Sequence, residues 1–158
     1  MGRPIPKLGS GSVQRPSDLV DFDWGNHDGT ALILLQNKTD VPFYLPCTPE
    51  LKTALDAAKA RPGAMPLPNR SILTGPDGGR MTYAYMAHTF LEERKRLGLQ
   101  AYDLHALRYR SVVDLAWAGC DDDEIMSFSG HSSKAMVIKY AGEARQIMRV
   151  RQAVEKRL

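Results

Sequence analysis

Cysteine is scarce in this chain: Cys47 and Cys120 stand far apart and outside any Cys-x-x-Cys spacing. That argues against a disulfide framework and against a structural zinc site. Long apolar runs are also missing. No stretch approaches the roughly 20 residues that cross a bilayer, and residues 1–12 hold Gly, Pro and Ser in place of the apolar centre of a signal peptide. The expectation is a cytoplasmic protein with no membrane partner. Neither sign of charge dominates, since 21 Lys and Arg face 18 Asp and Glu for a net +3, which permits nucleic acid as a partner without pointing to it. No internal repeat or low-complexity tract is present.

What remains is enough for one globular domain, at 158 residues and 43% hydrophobic content. Pro4, Pro6, Gly9 and Gly11 each oppose a regular helix, so residues 1–12 read as an irregular arm and 13–158 as the folded domain. Extended apolar runs follow at Leu19–Phe22, Ala31–Leu35 and Val41–Tyr44, separated by turn-forming His27-Asp28-Gly29 and Asn37-Lys38-Thr39-Asp40. They predict a small antiparallel sheet.

Thr48-Pro49-Glu50 starts a helix to about Ala60, with Thr as N-cap, Pro at the first position and an acid at the positive end of the dipole. Arg61–Arg70 and Gly75–Gly79 read as loops. Helices are then expected from Thr82 to Leu97, from Asp103 to about Ala118 and from Asp122 to Ser127, with one from Ser132 holding Tyr140 and a last from Gly142 to Leu158. The fold class is α+β, mainly α, a small antiparallel sheet packed on a helical body.

The chemistry-bearing residues come late and in order. His105-Ala106-Leu107-Arg108 is followed by Gly130-His131-Ser132-Ser133 and Lys139-Tyr140-Ala141, with His131 lying 26 residues after His105 and Tyr140 nine after His131. Two imidazoles, a guanidinium and a phenol can together hold a phosphodiester and attack it with oxygen. His105 and Arg108 share a helix face beside the unpaired N–H groups of its first turn, and Leu104, Leu107, Val112 and Leu115 supply an apolar stripe beneath them. Each residue alone has an ordinary reading: a capping His, a surface Arg, a Tyr packed at a domain edge.

As a set, they resemble the tyrosine recombinase, or phage integrase, family, whose catalytic domain carries His-x-x-Arg, then Gly-His, then a tyrosine nucleophile at these separations. The resemblance asks for an upstream arginine near an acid, matched by Gln14-Arg15-Pro16-Ser17-Asp18, and for a lysine on a β-hairpin turn, matched by Gln36-Asn37-Lys38-Thr39. It implies the catalytic set Arg15, Lys38, His105, Arg108, His131 and Tyr140, with Asp18 steadying Arg15. Val13 stands where the family commonly has glycine, and Tyr109-Arg110-Ser111 departs mildly from the pattern after the second arginine. Only 14 residues precede Arg15, so the expectation is a catalytic domain without the family's N-terminal DNA-clamping domain.

The tasks follow from the functional groups. Tyr140 would supply the nucleophile, its anion favoured beside cations. Arg15 and Arg108 present planar forks to the non-bridging oxygens at the pentavalent transition state, each worth about 10²–10³ in rate. His105 and His131 can donate to the same oxygens or accept the phenolic proton, and Lys38 can protonate the leaving 5′ oxygen. The implied reaction joins Tyr140 to a 3′ phosphate and needs no metal, ATP or other cofactor. The implied partners are double-stranded DNA and further copies of the chain, a tetramer in the family, working in the cytoplasm at the nucleoid. A DNA-binding remnant without catalysis and a relaxing topoisomerase of the same chemistry are the competing readings. Asp121-Asp122-Asp123-Glu124 reads as a helix start rather than a metal site, and Cys120 as a small apolar group.

Overall fold

The computed structural model describes residues 4–35, 42–61 and 63–157. The chain divides into two compact units, Met1–Arg108 and Tyr109–Leu158.

The first unit opens with a helix where an irregular arm was expected: α1 spans Pro4–Ser12. Both prolines fall in its first turn, where the missing N–H groups would have no helical acceptor. The glycines answer to close packing. A Cβ on Gly11 would sit 2.8 Å from the Leu51 Cβ, and one on Gly9 3.0 Å from Leu107 Cδ1, so glycine lets α1 lie against its neighbours with Ile5 and Leu8 buried. Val13 ends the helix at φ 56°, an unusual conformation for a β-branched residue, held by its N–H donating to Gly9 O at 3.1 Å and by its burial.

The run Leu19–Phe22 is not a strand. Pro16 starts a short helix, α2 (Pro16–Leu19), and a 3-10 turn at Trp24–Asn26 follows, closed by a reciprocal capping box between Asp23 and Asn26. Arg80 fastens this region, its Nη2 donating to both Asp23 oxygens at 2.9 Å and its Nη1 to Val20 O at 3.0 Å. Among the described residues the sheet is one antiparallel pair, β1 (Ala31–Leu35) with β2 (Pro42–Pro46), in the register Leu32↔Leu45 and Ile33↔Tyr44. Leu32 and Leu45 are buried and Ile33 and Tyr44 exposed, the alternation that one covered face requires. The hairpin lysine, Lys38, lies outside the described residues.

Local signals place the helices that follow. Thr48 Oγ1 accepts the Leu51 N–H at 3.3 Å to start α3 (Pro49–Lys59), which packs on α1. Thr82 Oγ1 accepts from Tyr85 N at 3.2 Å to start α4 (Tyr83–Leu97), and Gly98 ends it at φ 70°. Asp103 Oδ1 accepts from Ala106 N at 3.0 Å at the head of α5 (Leu104–Trp117), the helix within which the two units divide.

In the second unit, α6 (Asp122–Ser129) begins with a full capping box, Asp121 Oδ1 taking Glu124 N and Glu124 Oε2 taking Asp121 N, both at 2.8 Å. The final two expected segments are one helix, α7 (Lys134–Glu155). Gly142 lies inside it. A lone interior glycine costs about 1 kcal/mol against alanine, too little to break a helix anchored by buried Val137, Ala141 and Ala144. No described helix is long and apolar enough to cross a membrane.

Candidate active site

Three of the expected catalytic residues, Arg15, His105 and Arg108, stand among the described residues of the first unit. Arg15 occupies the N-cap position of α2 with extended backbone, its side chain exposed and its carbonyl accepting the Asp18 N–H at 2.9 Å. The Asp18 carboxylate takes the Ser17 hydroxyl at 3.3 Å, and its tie to Arg15 among the described contacts runs through the main chain. His105 is exposed in the first turn of α5, whereas Arg108, one turn on, is buried at 7% exposure. The buried side of that helix runs Leu104, Arg108, Val112, Ala116, with Ser111 alongside, so Arg108 is built into the apolar stripe. Leu107 and Leu115, expected in it, are half-buried. A guanidinium at this depth is fixed in direction, as phosphate recognition by a planar fork requires.

The second unit brings His131 and Tyr140 together. Tyr140 sits half-buried on α7, its ring edge-to-face with His131 at 5.7 Å between centroids and with Tyr109 at 5.3 Å. The phenol is thus held between two rings. His131 reaches this place because Gly130 ends α6 in the left-handed region at φ 68°, turning the chain back so that the imidazole Nδ1 lies 2.5 Å from Ser129 Oγ. Ser129 is buried and also bonds the Ile125 carbonyl at 2.6 Å.

Sequence reasoning missed two members of this group. Tyr109 was marked only as a departure from the family pattern; its signal was an aromatic residue directly after Arg108. Ser129 was not singled out, although a serine two positions before His131 and beside a helix-ending glycine was visible.

The acidic run Asp121–Glu124 is occupied in folding. Besides the capping box, Asp122 pairs with Arg145, which also donates to Cys120 O at 3.0 Å, and Asp123 pairs with Lys134 at 3.0 Å. Among the described residues no cluster of three or more His, Cys, Asp or Glu could hold a metal ion. Burial, then the Glu124 and Asp121 carboxylates, push the Cys120 thiol up, so the weakly nucleophilic thiol form is favoured.

Residues 5–146 match the family model described as the phage integrase family. No curated protein matches the chain in sequence. Among solved structures, a XerA recombinase superimposes with a TM-score of 0.79 at 18% identity, over 92% of this chain and 54% of that one. A Tn1549 transposon integrase in complex with a circular intermediate DNA gives 0.71 at 19% identity, over 87% and 53%. A lambda integrase tetramer bound to a Holliday junction gives 0.70 at 23% identity, over 88% and 41%. The chain thus spans about half the length of the solved structures it resembles, and the common fold is that of their catalytic domains. With the family model covering most of its length, this chain belongs to the phage integrase, or tyrosine recombinase, family.

Proposed function

We propose that this chain is the catalytic domain of a site-specific DNA recombinase, which cuts and rejoins double-stranded DNA through a 3′-phosphotyrosine on Tyr140. The observation that carries this reading is the Tyr140 ring packed against His131, in a family member whose His-x-x-Arg, Gly-His and Tyr stand in order and at the family's spacing. The catalytic domain in this reading includes α1, because the family match starts at residue 5 and α1 packs on α3.

Arg15 and Arg108 neutralise the charge that grows on the non-bridging oxygens, and His105 adds a hydrogen bond there. The Tyr140 oxygen attacks phosphorus and loses its proton to a histidine, while Lys38 protonates the leaving 5′ oxygen. The phosphotyrosine keeps the energy of the broken diester, so a new 5′ hydroxyl can reverse the step on another strand. Asp18 keeps Arg15 in place through the turn that begins α2. Several copies assemble on DNA in this reading, a tetramer for strand exchange, and the place of work is the nucleoid.

The test is covalent capture. Wild type and Tyr140→Phe are incubated with nicked duplex fragments and denatured in detergent, and protein carrying DNA is counted. Wild type is expected to give an adduct and the variant none. Equal yields would overturn the assignment of Tyr140, and salt-sensitive binding by both without any adduct would make the chain a DNA-binding remnant.

A further inference from the structure

Tyr109 packs its ring against Tyr140, and no step of the proposed reaction uses it. The two rings stand nearly perpendicular, at 83° with centroids 5.3 Å apart, closer and more upright than the 62° and 5.7 Å between Tyr140 and His131. Both tyrosines belong to the second unit, Tyr109 on α5 and Tyr140 on α7. Tyr109 is 42% exposed, so it is not there to fill the core, which along this stretch of α5 comes from Ser111, Val112 and Ala116. Rings set edge-to-face at this separation attract, because the positive edge of one meets the negative face of the other.

We infer that Tyr109 is a positioning residue that holds the Tyr140 ring in one orientation. Buried Val137, Ala141 and Ala144 anchor α7 and with it the Tyr140 backbone, but they leave its side-chain torsions open. A helical tyrosine has χ1 wells at about 180° and −60°, and its χ2 is broad and two-fold. The phenolic oxygen lies on the χ2 axis, so χ1 sets where the oxygen is. The χ2 torsion sets the ring plane, in which the phenolic proton lies. A perpendicular neighbour decides both, because leaving the χ1 well or turning the ring gives up the edge-to-face contact. Tyr109 also stands where this chain departs from the family pattern, which makes the contact a feature of this sequence.

The consequence for catalysis rests on the recombinase reading above. Attack on phosphorus needs the Tyr140 oxygen in line with the leaving 5′ oxygen, and a nucleophile already held in one orientation reaches that line more often than one that searches for it. Tyr109 neither touches the reacting atoms nor exchanges a proton. It acts through the Tyr140 ring alone, so its own ring is sufficient and its hydroxyl plays no part.

The contact can be read in the free full chain from NOEs between the two sets of ring protons, with 13C-labelled tyrosine. Tyr140→Phe and Tyr109→Phe assign the signals among the six tyrosines. Wild type is expected to show ring-to-ring NOEs. Tyr109→Leu, which keeps apolar bulk without a ring, should move the Tyr140 ring-proton shifts, and Tyr109→Phe should hold them. In the capture assay at saturating DNA, Tyr109→Leu should slow adduct formation by roughly two- to tenfold, the population that one aromatic pair can hold. DNA affinity should stay unchanged, which separates a placed nucleophile from a general loss of structure, and Tyr109→Phe should retain most of the rate.

Absence of ring-to-ring NOEs in wild type would overturn the inference, with no variant needed to see it. So would a Tyr109→Leu chain with unmoved Tyr140 shifts or an undiminished adduct rate. A Tyr109→Phe chain as slow as Tyr109→Leu would also overturn it, by placing the effect on the hydroxyl. Ring-to-ring NOEs and the Tyr109→Leu shifts in a protein whose wild type forms no adduct would uphold the hold of Tyr109 on Tyr140 and defeat the recombinase reading alone.

Discussion

In residues 4–108 the fully buried side chains include seven large ones, Leu8, Leu19, Leu32, Leu45, Leu51, Leu73 and Met86, beside the smaller Ser12, Val13 and Ala31. In residues 109–157 they are Val112, Ala116, Ile125, Val137 and Ala141, with Ser129 among them. A buried leucine is worth about 1.5–3 kcal/mol over an exposed one, and an alanine much less. Directed polar links occur in both units, in the first at Asp23–Asn26 and Arg80 and in the second at the Asp121–Glu124 capping box, the Arg145 bonds to Asp122 and Cys120 O, and the Ser129 bonds to Ile125 and His131. The lesson is a division of labour. Large apolar side chains carry most of the first unit's core, while in the second the bonds of Ser129 place the His131 ring beside Tyr140.

The contrast breaks most easily at Leu51. It is buried at 1% exposure, its side chain lies where a Cβ on Gly11 would clash, and it joins α1 to α3. Leu51→Ala should cost about 2–5 kcal/mol in denaturant unfolding. The two tryptophans report separately, because Trp24 lies in the first unit and Trp117 in the second. A loss below 1 kcal/mol would mean that α1 contributes little to the base that carries Arg15.

A smaller loss, reached by different physics, is expected at Arg145. Its side chain and that of Asp122 are only 21% and 25% exposed, so screening by water is limited. Arg145→Met keeps most of the aliphatic stem and removes the bonds to Asp122 and the Cys120 carbonyl. It should destabilise the chain by about 1.5–3 kcal/mol, the range for hydrogen bonds to charged groups, with the change seen through Trp117. A neutral result would show that packing, as in the first unit, also dominates the second.

The same contrast explains what the sequence disclosed. Caps at Thr48, Thr82 and Asp103 and the β1–β2 pair were legible because each depends on neighbours within a few residues. Helix α1 was not, since the reason for Gly11 is Leu51, some 40 residues on. Leu19–Phe22 misled because its apolar pattern suits a strand, while Pro16 and the Asp23–Asn26 box impose turns. The break expected near Gly142 overrated one glycine against the burial on both sides of it. At the site, order and spacing exposed His131 and Tyr140. Ser129 stayed hidden because its role appears only once a back-bond and a left-handed glycine fold the chain onto itself.

His27 sharpens the comparison by inverting it. It is a polar group in the first unit, 8% exposed, edge-on to Trp24 at 6.5 Å, and among the described residues neither ring nitrogen has a hydrogen-bond partner. Burial first, then Lys59 with a lesser push from Lys52, hold its pKa below the ordinary value, with Asp28 and Asp56 opposing. The folded chain therefore keeps this ring neutral where the unfolded chain, titrating near about 6.5, begins to bind a proton. Stability is whole above that unfolded value and is lost as pH falls toward the lower folded one. Unfolding midpoints read through Trp24 should decline on acidification from about pH 7 to about pH 5, and His27→Leu should flatten that part of the slope. An undiminished slope in the variant would assign the acid sensitivity to other groups, and would leave unpartnered His27 as packing, in contrast to His131 and its serine.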